Sequence, residues 1–441
     1  MSDLYVLGVF AFALVIMILM ISKWHVHPVI TLLIVVIAMG LALGTGAADV
    51  LLILTEGVGG TIGRVGLIIF LGCALGKILE SSGACLRLTN AVYSICGPRK
   101  AIWAIAGSAA IVGVPVFADA VVIILMPVVV SLAIKTKSSI AKFAAVLYLG
   151  AYVSSSLIPP TPGPVAAASF LGLDMAQAII WGGIVAVPGV LAGTLYVRFI
   201  NIGDVDPKLH RRSHEEEPDV SHISLIKAMT PILLPIALII IGTIPLGGLS
   251  DHFLGELVVL VSDPAIALLL GVISSFPLLG HRWRSKEVLN DWMETGLRLA
   301  AMPIMVTGLG GALALLVRDT GIAESLASTF VELGLAPLLL PFVLGAAINT
   351  ITGSNTLGVL TSAAIVQPLL PSLGLSPLSA FLACASGSLI LKHPNSSGFW
   401  VTVSLSGMTV AQGIKAIGGA TLCAGIASGT ATYLLYSLGW I

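Results

Sequence analysis

The sequence is poor in charged and in aromatic residues. Only 10% of its 441 residues are Asp, Glu, Lys or Arg, and 6% are Phe, Trp or Tyr. A soluble domain carries about 25% charged residues, so this scarcity excludes a chain whose whole surface faces water. The 21 basic and 21 acidic residues cancel, which argues against a nucleic-acid partner. With 57% hydrophobic residues and a mean hydropathy of +1.07, the chain is expected to have lipid as its solvent.

Motifs for metal binding and covalent catalysis are also missing. The five cysteines are scattered, with no CxxC pair and no nearby histidine, which favours small buried thiols over metal ligands. His393 is the only histidine in the polar segments that interrupt the apolar stretches, and neither HExxH nor GxSxG occurs near it. An intramembrane enzyme would need such a nucleophile and base. The sequence therefore predicts no enzyme, no metal site and no cofactor.

Several apolar runs approach the roughly 20 residues that a membrane-spanning helix needs. They are 4–22, 28–45, 64–80, 140–158, 176–199, 227–246, 264–280, 299–317 and 414–438. The first run has no basic segment before it and no small-residue cleavage site, so we expect a retained helix rather than a signal peptide. Two longer apolar stretches, 101–134 and 335–371, contain Gly/Pro/Ser breaks near their middles. Each could be two spans or a re-entrant hairpin.

The placement of basic residues favours hairpins. Lys and Arg concentrate at position 23 and in the segments 87–100, 135–142, 198–222 and 281–298. The positive-inside rule assigns these segments to the cytoplasm, whereas the loop 247–263 has three acidic residues, no Lys or Arg, and should lie outside. With the N-terminus outside, the spans alternate correctly if 101–134 is a hairpin from the cytoplasm and 335–371 one from the outside. This topology predicts a multi-pass protein of a bacterial inner membrane.

The two halves of the chain resemble each other. Segment 72–83 matches 310–321, and segment 169–179 matches 404–414 at nearly the same offset, so that Pro159 pairs with Pro394. By the topology above, the first copy begins outside and the second inside. The sequence therefore predicts an all-α polytopic membrane protein, an inverted repeat with two re-entrant hairpins and two Pro-broken helices. This architecture is typical of secondary transporters, because the same fold can open to either side.

This pattern divides the chain into five predicted parts. They are N-terminal scaffold helices (1–62), a first repeat (63–200, with hairpin 101–134 and broken helix 140–172), a cytoplasmic linker (201–226), further scaffold helices (227–298), and a second repeat (299–441, with hairpin 335–371 and broken helix 376–407).

Polar side chains gather at the four interruptions. Four prolines forbid a helix within 159–164, and the counterpart segment 389–398 places Lys392 and His393 in an otherwise uncharged stretch. Intramembrane ionisable residues are functional candidates. Helix N-termini aimed at one point would favour an anion, and unwound carbonyls a cation. The predicted substrate-binding residues are Ser154, Ser155, Thr161, Gly163, Gly353, Ser354, Asn355, Thr356, Lys392, His393, Asn395 and Ser396.

Asp119 and His393 are the predicted carriers of the coupling ion, because burial can bring their protonation change to an accessible pH. Asp119 is the only carboxylate between positions 80 and 174. Lys392 would offset the charge of a bound carboxylate, or pair with Asp119 when the site is empty. A channel is the rival transport class. It would show a continuous polar path rather than two paired breaks.

Three motifs resemble those of the gluconate permease (gluconate:proton symporter) family of the ion-transporter superfamily. They are GVPVFAD at 113–119, PPTPGP at 159–164 and NSSGFW at 395–400, and the likeness runs over nearly the whole chain. The resemblance implies uptake of gluconate or a related sugar acid with protons. It also implies a homodimer that works as an elevator.

The chain departs from the family pattern at three positions. Thr161 replaces a histidine, Ser396 replaces an aspartate, and Lys392 stands where a small polar residue is expected. The segment 353–356 also resembles the Ser-Asn-Thr clamp of sodium-coupled dicarboxylate carriers. A sodium-coupled carboxylate transporter, or one for D-amino acids or hydroxy acids with the same fold, therefore stays open as an alternative.

Overall fold

The computed structural model describes residues 3–24, 26–97, 100–136, 138–203, 205, 220, 223–244, 253–320, 336–394 and 396–441. Within these ranges the chain contains helices and no β-strand, and seven helical segments are long and apolar enough to cross a membrane. The predicted all-α polytopic class is thus confirmed. Most of the predicted linker 201–226 lies outside the described residues, as does the part 247–252 of the predicted external loop.

The first half of the chain forms the helices α1 (Asp3–Ser22), α2 (Pro28–Ala42), α3 (Ala47–Ser81), α4 (Ala84–Cys96), α5 (Ala101–Val112), α6 (Ala118–Lys135), α7 (Ile140–Leu157), α8 (Pro162–Leu171) and α9 (Met175–Phe199). The second half forms α10 (Leu225–Ile241), α11 (Phe253–Ser262), α12 (Pro264–Ser274), α13 (Phe276–Leu279), α14 (Met293–Asp319), α15 (Leu339–Thr352), α16 (Asn355–Val366), α17 (Leu370–Leu373), α18 (Pro377–Gly387), α19 (Ser397–Ser406), α20 (Val410–Gly413) and α21 (Gly419–Ser437). Short 3-10 or π-helical turns precede α14, α17 and α21.

Helices α3 and α14 form a long central pair. Small residues let their backbones approach, since a Cβ on Gly57 would meet the backbone of Ala312 and one on Gly311 would meet Thr61. With 35 residues, α3 extends about 50 Å at 1.5 Å per residue, well beyond the roughly 30 Å of a hydrocarbon core. The predicted span 64–80 is only its C-terminal half. The predicted boundaries at 62/63 and 298/299 fall inside α3 and α14, so no break in the backbone separates scaffold from repeat there.

The two predicted hairpin stretches each fold as two helices joined by a short turn. Segment 113–117 separates α5 from α6, and Gly353 and Ser354 separate α15 from α16. Helices α5 and α16 have 12 residues each, a rise of about 18 Å, which is too short to cross the hydrocarbon core alone. Gly353 has φ 71°, a left-handed conformation that glycine adopts without a Cβ penalty. It ends α15 and turns the chain into α16.

Both predicted broken helices are interrupted at their prolines, but the first interruption is shorter than predicted. Helix α8 begins at Pro162, within the stretch 159–164 that was expected to exclude a helix, because the first turn of a helix accepts proline. Segment 158–161 separates α7 from α8, and segment 388–396 separates α18 from α19. The peptide bond between Pro159 and Pro160 is cis. Leu391 has φ 53°, which costs a residue with a Cβ strain energy and so requires that surrounding contacts hold the bend.

Packing brings the four interruptions together. Helix α7 lies against α5 and α6, and α18 lies against α15 and α16. The two halves of the chain also contact each other, because α8 packs against α16 and α19 packs against α6. Glycines make both crossings close: a Cβ on Gly163 would lie 3.2 Å from Thr356 Cα, and one on Gly398 would meet Asp119 and Tyr148. The starts of four short helices therefore meet in the middle of the bundle.

Candidate anion-binding cavity

A cavity of about 550 Å³ lies where these four helices begin. Each helix contributes its first residues or its N-cap to the wall. These are Ala118 and Asp119 at the start of α6, Thr161 and Pro162 at α8, Ser354 and Asn355 at α16, and Ser396 and Ser397 at α19. The first N–H groups of a helix lack intrahelical partners and carry a partial positive charge. Four such termini border one space. This geometry suits an anion.

Lys392 brings its side-chain amine to the same cavity. The residue is 2% exposed and lines the cavity wall. Its ammonium donates to the Gly353 carbonyl at 2.5 Å and to Asn349 Oδ1 at 3.2 Å, and it lies 4.9 Å from the centroid of the Tyr152 ring. Among the described residues no carboxylate lies within ion-pair distance of it. In particular, the alternative pairing with Asp119 is not formed in this structure.

Tyr152 and Asn349 hold the lysine in place. The Tyr152 hydroxyl donates to the Ser388 carbonyl at 2.7 Å and lies 3.2 Å from Asn349 Oδ1. Asn349 Nδ2 donates to the Ile390 carbonyl at 2.9 Å, which leaves Oδ1 facing the lysine. Buried carbonyls at the break thus receive side-chain donors in place of helical N–H groups. Tyr148 stacks on Tyr152 at 5.3 Å between ring centroids and also lines the cavity.

Asp119 links the first hairpin to the second broken helix. The Ser397 hydroxyl donates to Asp119 Oδ2 at 2.6 Å, a short distance typical of a hydrogen bond to a charged acceptor. Asp119 is partly buried and lies in the first turn of α6. The interruptions therefore bring an acidic group, Asp119, as well as Lys392 to the cavity wall.

The other side of the cavity is formed by the long helix pair. Lys77 and Glu80 of α3 form an ion pair at 3.2 Å, and their side chains are 22% and 26% exposed. Thr295, Leu299 and Met302 of α14 complete this wall. The cavity is thus bounded by α3 and α14 on one side and by the four helix starts on the other.

The structure brings most of the predicted site residues together. Those that line the cavity are Asp119, Ser155, Thr161, Gly353, Ser354, Asn355, Thr356, Lys392 and Ser396.

Three predicted residues do not line the cavity. Ser154 donates to the Gly150 carbonyl within its own helix at 3.1 Å, Gly163 packs against Thr356, and the His393 ring lies 2.7 Å from the Thr350 carbonyl. Asn395 lies outside the described residues. The roles assigned to all these residues stay predictions.

Sequence analysis assigned no role to Asn349, Tyr148, Tyr152, Ser397, or the Lys77–Glu80 pair. A signal was present for the tyrosines, which recur at i and i+4 in an apolar helix of a chain with only seven tyrosines, and for Asn349, the only amide in α15. Lys77 and Glu80 carried no signal of their own, since an i, i+3 ion pair is common on any helix.

Comparison with known proteins places this architecture in a family. The model of the GntP family permeases matches residues 5–439. The chain belongs to this family. It is 31% identical to the inner membrane permease YgbN of Escherichia coli (94% of this chain, 95% of that protein) and 30% identical to a gluconate permease of Zymomonas mobilis (97% of both). It is also 27% identical to the D-serine transporter DsdX of E. coli (98% of this chain, 99% of that protein).

Among solved structures, the YdaH transporter of Alcanivorax borkumensis has the same fold, with a TM-score of 0.63 and 15% identity over 93% of this chain and 98% of that one. The predicted family and the predicted location are confirmed. The chain is a multi-pass protein of the bacterial inner membrane.

Proposed function

We propose that the protein is a secondary active symporter that imports a small organic acid, gluconate or a related sugar acid, together with protons. The main observation in support of this proposal is that four helix N-termini and the ammonium of Lys392, which has no carboxylate partner, meet at one cavity. A carboxylate is the simplest group that satisfies both. At about 550 Å³, the cavity falls within the range of roughly 300–1,000 Å³ found for small-molecule sites.

The hydroxyl groups of the wall favour a hydroxylated acid. Thr161 Oγ1 lies within hydrogen-bond distance of the Ser155 and Ile158 carbonyls, and Ser155 Oγ donates to the Tyr152 carbonyl at 3.2 Å. A hydroxyl whose hydrogen is engaged in this way offers only lone pairs to a ligand. Such acceptors match the several O–H donors of a sugar acid and match a plain carboxylic acid poorly.

The ammonium of Lys392 disfavours D-amino acids, one class of alternative substrate. A D-amino acid brings an ammonium group into a cavity that already holds a buried cation, and two like charges at close range repel. Sugar acids and hydroxy acids carry no such charge. The D-serine transporter among the relatives shows that the family includes an amino-acid carrier, so the comparison of gluconate with D-serine is part of the test below.

Asp119 is the proposed proton carrier. It lies on the cavity wall and its carboxylate accepts a hydrogen bond from Ser397, so a change in its protonation would alter the contact between the first hairpin and the second broken helix. His393 is the second candidate. It lies beside the cavity rather than in its wall. We further propose that the helix starts move as one unit past α3 and α14, as in an elevator, and that the protein works as a homodimer.

Uptake into proteoliposomes tests this function. We expect labelled gluconate to accumulate under an inward proton gradient and not under a sodium gradient alone. Asp119→Asn should still bind gluconate, seen as a rise in melting temperature because a ligand of the folded state stabilises it, but should lose proton-driven accumulation. Asp49→Asn, at an exposed carboxylate outside the cavity, is the control and should behave as the wild type.

Four outcomes would contradict the proposal. Unchanged accumulation in Asp119→Asn and His393→Ala would remove the proton assignment. Uptake driven by sodium alone would favour the sodium-coupled alternative. Stabilisation by D-serine but not by gluconate would replace the substrate class, and transport that never exceeds equilibrium would indicate a channel.

A further inference from the structure

The surroundings of the Lys392 ammonium resemble a binding site for a small cation. Its two hydrogen-bond acceptors are neutral oxygens, the Gly353 carbonyl and Asn349 Oδ1. The face of the Tyr152 ring lies beside it, at 4.9 Å from the centroid, and aromatic faces attract cations. Carbonyl and amide oxygens are also the ligands that hard metal cations prefer. The ammonium thus has the ligands that a dissolved cation would use.

The position of these oxygens in the fold strengthens the resemblance. Gly353 is the C-cap of α15, so its carbonyl lies at the negative end of a short helix. In transporters with interrupted helices, such helix ends and unwound carbonyls are where coupling cations bind. Asn349 is buried to 1% exposure, and its amide is fixed by the Ile390 carbonyl. The oxygens are therefore oriented by the fold itself.

The backbone around Lys392 is shaped to deliver the ammonium to this point. Leu391, the preceding residue, has φ 53°, a strained conformation for a residue with a side chain. The Lys392 backbone N–H donates to Thr421 Oγ1 at 2.9 Å. These two features anchor the main chain beside α21 while the side chain reaches across to α15.

We propose that the Lys392 ammonium acts as a tethered cation that occupies the place of a coupling sodium ion, so that this protein needs no dissolved sodium to bind or carry its substrate. The inference deepens the proposed function, because it names what neutralises the substrate charge next to the cavity. It also explains how a chain with a Ser-Asn-Thr segment at 354–356 can work without sodium. Removing the side chain should leave an empty site with oxygen ligands still in place.

Thermal unfolding of Lys392→Ala in detergent tests this proposal. We expect its melting temperature to rise by about 2 °C or more in sodium chloride relative to choline chloride at equal ionic strength, in a saturable manner, because sodium binds only the folded state. The wild type should show no difference between the two salts. Lys415→Ala, which removes an exposed lysine that does not line the cavity, should resemble the wild type.

Two results would overturn the inference. One is a monodisperse Lys392→Ala protein whose melting temperature does not rise specifically in sodium. If the alanine variant does not fold, the same measurement is made on Lys392→Ser. The other needs no variant: wild-type uptake or wild-type stability that depends on sodium. Stabilisation of the wild type by gluconate reports the proposed function separately, so either conclusion can fail while the other stands.

Discussion

At the scale of single residues, Tyr152 is the side chain on which the cavity wall depends most directly. Its hydroxyl donates to the Ser388 carbonyl at 2.7 Å and lies 3.2 Å from Asn349 Oδ1. It therefore fixes the end of α18 and the residue that holds the Lys392 ammonium. A buried carbonyl that loses its hydrogen-bond donor costs about 1–3 kcal/mol.

We expect Tyr152→Phe to lower the free energy of unfolding by about that amount and to reduce gluconate uptake, since Asn349 and Lys392 lose a fixed neighbour. Thermal unfolding and proteoliposome uptake measure the two effects. Tyr433→Phe is a matched control, because Tyr433 is 50% exposed on α21. Equal behaviour of the two variants would show that the Tyr152 hydroxyl has no special role.

Much of the cavity wall was predictable at this scale, and the reason is chemical. Lys392, Asp119 and the hydroxyl groups are conspicuous because apolar spans rarely contain them. His393 is equally conspicuous, yet it lies beside the cavity, because the direction of a side chain in an irregular segment depends on the backbone angles of residues such as Leu391. Sequence patterns do not contain those angles. Asn349 and Tyr152 became evident only once α15 and α7 were seen to meet.

At the scale of helices, glycines decide how closely the broken elements pack. Gly182 and Gly183 are neighbours on α9, but their surroundings differ. A Cβ on Gly182 would collide with the Leu157 carbonyl at the break between α7 and α8, whereas one on Gly183 would meet nothing within 4 Å. The Leu157 carbonyl ends the last turn of α7, and Thr161 of the cavity wall follows four residues later.

We expect Gly182→Ala to lower the free energy of unfolding by about 1–3 kcal/mol, the usual cost of overpacking, and to impair uptake by displacing the break. Gly183→Ala should leave the free energy of unfolding unchanged or raise it by up to about 1 kcal/mol, because alanine favours the helix and enters open space. Melting temperatures of the two variants make the comparison. A Gly183 variant as unstable as the Gly182 variant would refute the packing argument.

The positions of the helices were more predictable than their lengths. Prolines and glycines mark the four interruptions, because they remove N–H donors or permit left-handed turns. The start of α3 at Ala47 was missed, since Glu56 and Arg64 lower the hydropathy of its first half although tertiary packing against α14 keeps it helical. Local propensity is a weak guide wherever such packing decides.

At the scale of the whole molecule, the cavity has two walls of different construction. One consists of α3 and α14, and the other of the four helix starts that α7 and α18 support. If transport proceeds as an elevator, the second wall slides along the first while its own contacts persist. Distances within each wall should then be constant, and distances between them should change.

Spin labels at Leu67 on α3 and Val187 on α9 can measure this motion. Both side chains are exposed, by 65% and 56%, so the labels should leave packing intact. We expect the distance distribution to shift when gluconate is added, in protein diluted with unlabelled chains. A pair at Val187 on α9 and Tyr433 on α21 should not shift, because these helices pack against each other, α9 packs against α7 and α21 packs against α18. Cys96 and Cys423, the partly exposed cysteines, are replaced first. Identical distributions with and without gluconate would contradict an elevator.

The buried lysine also constrains the biosynthesis of the protein. Inserting a lysine at the centre of a membrane helix costs about 2.5–3.5 kcal/mol, and chains enter the membrane from the N-terminus onward. Tyr152, Asn349 and Gly353 all precede Lys392 in the chain. The residues that contact the lysine are therefore synthesised, and enter the bilayer, before Lys392 does. A permuted gene that placed Lys392 before Asn349 would present the same charge to lipid alone, even though the finished protein would have identical contacts.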